Sequence, residues 1–80
     1  MHELYIAEKL IKEVEKIAEG SKSEKVLEVN VAIPEDEHFT EKEFTDILKV
    51  QSEGTSINDA KFNVVTEKTS KVYVKDIKVL

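Results

Sequence analysis

Across residues 3–19 the apolar side chains Ile6, Ala7, Leu10, Ile11, Val14, Ile17 and Ala18 recur at the spacing of an α-helix. Glu8, Lys9, Lys12, Glu13, Glu15, Lys16 and Glu19 fill the opposite side, a solvated face on which Glu8 precedes Lys12 in the favourable order. A helix divided in this way has one face that other parts of the chain must cover. Gly20 is the expected left-handed stop of that helix. Eighty residues, 40% of them hydrophobic, supply that cover within one domain, residues 1–80, and leave no surplus core for a large cofactor.

After the polar loop Ser21-Lys22-Ser23, the residues Leu27, Val29, Val31 and Ile33 alternate with Glu28, Asn30 and Ala32, the signature of a half-buried strand. Pro34 cannot extend it, and the acidic loop Glu35-Asp36-Glu37-His38 follows. Thr40-Glu41-Lys42-Glu43 reads as a capping box, with Phe39 and Phe44 placed as a hydrophobic staple. Phe44, Ile47 and Leu48 form the buried stripe of this second helix, with Val50 at its edge and Gly54 closing it. Ile57 anchors the connection to a second strand, where Ala60, Phe62 and Val64 alternate with Lys61 and Asn63. A polar turn over residues 66–70 leads to a third strand whose apolar set changes phase from Val72 and Val74 to Ile77 and Val79. A β-bulge near Lys75 and Asp76 accounts for that slip. The expected fold is α+β, two helices packed on one face of a three-stranded mixed sheet in the order α-β-α-β-β. The first two strands run parallel and the last two form an antiparallel hairpin.

Charge and composition exclude several functions. The net charge is −5, from 17 acidic and 12 basic residues, which disfavours nucleic acid as a partner. Every basic residue is lysine, so the bidentate arginine fork for phosphate or carboxylate is missing. Without cysteine there are no disulfides, thiolate zinc sites or cysteine nucleophiles, which fits a reducing cytoplasm. No apolar run reaches membrane-spanning length and no signal segment opens the chain, so Met1 reads as the mature start. The carboxylates are spread over exposed faces, and no nucleophile–base pair stands out, so the chain does not read as an enzyme.

The opening Met1-His2-Glu3-Leu4 does carry chemistry. The Met1 amine, the His2 backbone nitrogen and the His2 imidazole can close fused five- and six-membered rings on one metal ion. Planar nitrogen donors suit Ni(II) or Cu(II), and Glu3 can supply a fourth donor through its backbone nitrogen or carboxylate. The bulky second residue favours retention of Met1. Two other readings stand beside this one: a terminus that frays in solvent, and a Glu3 that serves only the helix dipole. His38 with Glu35, Asp36 and Glu37 reads as an oxygen-rich metal site, as the source of a remote ligand, or, in the reading a charge run favours, as a solvated acidic loop leading into a helix. Tyr5 and Tyr73 read as amphipathic packing residues.

Met1-His2-Glu3-Leu4 with Ala7-Glu8, the spacing across residues 33–55, Ala60-Lys61-Phe62-Asn63-Val64, and residues 72–79 with their phase slip together resemble the nickel-binding domain of the HypA family. These proteins are metallochaperones of nickel–iron hydrogenase maturation, some of which also serve urease. The resemblance implies Ni(II) bound by Met1 through its amine, His2 through imidazole and backbone, and Glu3. It implies hand-over to the hydrogenase large-subunit precursor with a HypB-like GTPase, in the cytoplasm, by a monomer or weak homodimer. Two departures accompany it. The family inserts a zinc module with two Cys-x-x-Cys pairs before its last strand, where this chain has only the turn over residues 66–70. The loop over residues 34–38 is acidic and bears a histidine where relatives carry glycine and an apolar residue. The resemblance therefore implies a reduced form lacking structural zinc, either a nickel carrier or a protein-interaction scaffold without metal.

Overall fold

A computed structural model describes residues 2–21 and 25–80. Its elements are α1 (His2–Ser21), β1 (Val26–Pro34), α2 (Glu41–Ser52), β2 (Lys61–Glu67) and β3 (Tyr73–Val79), the expected α-β-α-β-β order. Ala7, Leu10, Ile11 and Val14 of α1 share one core with Phe44 and Leu48 of α2 and with Val29, Val31, Ile33, Phe62 and Val64 of the sheet. Those strand residues lie on one sheet face, so both helices cover that side.

α1 departs from expectation in two places. Ile17 is exposed although its spacing matches the stripe. It lies on the same edge of the stripe as Ile6, which borders a groove shared with Val72 and Val74 of the β3 side. Gly20 does not stop the helix, which continues to Ser21. Glycine accepts right-handed helical angles as well as left-handed ones, and the left-handed glycine among the described residues is Gly54, at φ 78°. Of the expected loop, residues 22 and 23 lie outside the described residues.

The sheet order is β2-β1-β3. β1 runs parallel to β2, pairing Val29 with Phe62 and Val31 with Val64, and antiparallel to β3, pairing Val29 with Ile77 and Val31 with Val74. The expected hairpin between the last two strands is therefore not formed. β3 crosses the end of β1 and pairs with its free edge, which places the most apolar strand in the centre of the sheet. The outer edge of β2 meets α2 instead, where the Thr66 backbone N–H donates to the Glu41 carboxylate at 2.7 Å.

Two bulges tune the β1–β3 pairing. The register passes from Asn30↔Asp76 to Val31↔Val74, leaving Lys75 unmatched, and this keeps Val74 and Ile77 on the core side as the phase slip requires. The second was not anticipated. Between Val26↔Val79 and Glu28↔Lys78 the extra residue is Leu27. It turns outward and is 43% exposed, while Val26 is buried at 4%. The core-facing set of β1 thus begins with Val26 rather than Leu27.

α2 begins as its sequence prescribes. The Glu43 N–H donates to Thr40 Oγ1 at 3.0 Å, and the Thr40 N–H donates to Glu43 Oε1 at 2.8 Å. Phe39 stacks on Phe44 with ring centroids 4.8 Å apart. Phe44 and Leu48 are fully buried and Ile57 anchors the following turn, while Val50 is solvent-exposed rather than joining the stripe. No helix among the described residues is long and apolar enough to cross a membrane.

Candidate metal centre

Because α1 starts at His2, the backbone N–H groups of its opening residues have no intrahelical acceptor and stay available. The His2 side chain is 62% exposed. Its Nε2 lies 3.6 Å from Oε1 of Glu37, whose side chain is only 16% exposed. The turn that carries Glu37 begins where Pro34 ends β1, and the Glu37 N–H donates to the Pro34 carbonyl at 3.4 Å. The β1–α2 connection is thereby folded back against the start of α1. Glu3 is half-buried in the first turn, and Met1 lies outside the described residues.

Below His2 a groove of about 740 Å³ runs between α1 and the beginning of β3. Tyr5, Ile6 and Leu10 form one wall, and Val72 and Val74 form the other. Tyr5 is largely exposed and lies under the Lys9 ammonium, 5.2 Å from the ring centre. On β3 the Tyr73 hydroxyl donates to Glu67 at 2.9 Å, and Lys75 pairs with the same carboxylate. Lys75 first and Tyr73 second hold the Glu67 carboxyl below its ordinary range, and Glu67 in turn raises the Tyr73 phenol.

Among the expected site residues, His2 and Glu3 are consecutive in the first turn of α1, His2 exposed and Glu3 half-buried. His38 does not join them. Glu35, Asp36 and His38 face solvent, and no group of three metal-ligating side chains converges among the described residues. A metal held at the chain start would therefore depend on main-chain donors as well as side chains. Sequence reasoning groups Glu37 with His38 and does not pair it with His2, the neighbour the fold gives it. Glu37 belongs to a charge run that reads as solvated, and nothing local links position 37 to position 2.

The sequence profile of the family described as "Hydrogenase/urease nickel incorporation, metallochaperone, hypA" matches residues 1–73. The chain belongs to the HypA family. Its fold is similar to the solution structure of the Ni metallochaperone HypA from Helicobacter pylori, with TM-score 0.81 and 16% identity over 98% of this chain and 97% of that one. A second solution structure of a HypA protein gives 0.72 at 19% identity, over 100% of this chain and 92% of that one. At such identities the likeness is one of fold. No curated protein sequence matches this HypA-family chain. The profile ends where β3 begins, so the likeness of the last strand rests on the structural comparisons. The family is one of nickel-incorporation metallochaperones.

Proposed function

We propose that this HypA-family protein holds Ni(II) at its amino terminus and delivers it to the precursor of a hydrogenase or another nickel enzyme. The ligands are the Met1 amine, the His2 backbone nitrogen and imidazole, and Glu3. The observation that carries this reading is His2 at the first position of α1, with its ring accessible and neighbouring N–H groups free of intrahelical acceptors. Deprotonated amide and imidazole nitrogens give the planar donor field that Ni(II) favours. The protein works without enzymatic chemistry, and it passes the metal on by ligand exchange. Its partners are a HypB-like GTPase and the hydrogenase large-subunit precursor, met in the cytoplasm. With no cysteine in the chain, structural zinc held by thiolates plays no part.

The groove beside His2 is contiguous with the site and gives an acceptor a surface to approach. The same groove supports a second reading, a scaffold that docks a partner without metal. Adding one residue before Met1 separates the two. Delivery predicts that the extended chain loses Ni(II) affinity or changes its coordination geometry in titration, because the amine is displaced and the histidine moves to third position. Equal, weak binding by native and extended chains overturns delivery in favour of the scaffold.

A further inference from the structure

Only one ring nitrogen of His2 can share a metal with the backbone nitrogen of the same residue. Nδ1 closes a six-membered ring, while Nε2 lies on the far side of the imidazole and cannot reach the same ion. An imidazole that binds metal through one nitrogen almost always donates its other N–H to a carboxylate, carbonyl or water, which fixes the tautomer and the ring plane. In this fold it is Nε2 that faces a carboxylate, Oε1 of Glu37.

We propose that Glu37 is the positioning residue of the nickel site, accepting the Nε2–H of His2 so that Nδ1 is presented toward the chain start. This rests on the delivery reading above. The 3.6 Å separation exceeds hydrogen-bonding range, and a small rotation of the exposed His2 side chain closes it. Glu37 is the stationary partner, since its side chain is mostly covered and its backbone is tied to Pro34. Both residues line the same groove. The other carboxylates of the loop stand elsewhere: Glu35 and Asp36 border a separate hollow with Lys68, Thr69 and Ser70. Glu37 touches no metal in this arrangement. It acts through the ring.

The test uses the full chain beginning at Met1, with Ni(II) titrated in competition with a chromogenic chelator. Glu37→Ala is expected to lose about 10–100-fold in affinity. Glu37→Gln, which keeps an acceptor oxygen, should recover part of that loss. The visible absorption band of bound Ni(II) should stay at the same wavelength in all three chains, because the donor set is unchanged. Glu37→Ala should have no further effect once His2→Ala is present. A band displaced in Glu37→Ala would make the carboxylate a ligand and overturn the positioning role, as would wild-type affinity in that variant. Nitrogen-15 shifts of the metal-free His2 ring provide an independent reading. They should move on Glu37→Gln, and identical shifts remove the contact. A native chain that leaves nickel in solution overturns the delivery reading and this role with it, whereas normal native binding with an indifferent Glu37→Ala overturns this role alone.

Discussion

Tyr73 on β3 donates its hydroxyl proton to Glu67 on β2 across 2.9 Å, although those strands are not neighbours in the sheet. Lys75 grips the same carboxylate. The link spans the end of β1 and closes the connection over residues 68–72 as a short clasp.

That clasp makes stability depend on pH in a defined direction. Glu67 titrates below its ordinary value of 4.5, through Lys75 first and Tyr73 second. A depressed folded value means the contribution is present above the unfolded value and disappears as pH falls through the folded one. Glu67→Gln should therefore melt below the wild type near neutrality, with the two melting temperatures converging in acid. Thermal melts followed by circular dichroism measure the gap, and a gap independent of pH would rule out the charge as its source. Tyr73 is raised above 10.0 by Glu67, so its part has the opposite sense and is lost as alkaline pH passes its folded value.

The start of α2 gives a second test. Thr40→Ala removes the side-chain acceptor for the Glu43 N–H and should cost about 1 kcal/mol. For a domain of this size that lowers the melting temperature by roughly 4–8 °C. Thr40→Ser, which retains the hydroxyl, should stay close to wild type in the same thermal melt.

Phe44 is fully buried, stacked on Phe39 and shared by the whole core. Phe44→Ala should cost about 3–5 kcal/mol. That is a large fraction of the stability expected of a small domain, typically about 5–15 kcal/mol, so the urea midpoint followed by circular dichroism should fall steeply. Phe44→Leu should fold, with a lower urea midpoint.

The two histidines should behave differently toward nickel. His2→Ala is expected to abolish tight Ni(II) binding by titration calorimetry, and His38→Ala to leave it unchanged. The reverse result would move the site to the loop after Pro34.

Features written within a few neighbouring residues were readable in advance. Thr40, Glu43, Phe39 and Phe44 determine the start of α2 among themselves, and the bulge at Lys75 shows as a switch from Val74 to Ile77. The bulge at Leu27 gave no such sign, because Val26 and Leu27 are both apolar and either could face inward. Strand order was equally hidden, since it depends on whether β3 finds β2 or crosses to β1, a choice made by contacts distant in the chain. Gly20 misled because glycine permits a helix stop without requiring one. At the site, His2 and Glu3 were visible as chemistry. The pairing of Glu37 with His2 became visible only when the fold brought residue 37 beside residue 2.

The placement of β1 between the other two strands has a topological consequence. The chain leaving β2 must pass the tip of β1 before it can start β3, and there Ser70 and Lys71 border the same groove as His2. Any cargo spliced into that crossing, whether a fluorophore tag or an entire extra lobe, would overhang the first turn of α1 and leave the bare back of the sheet untouched.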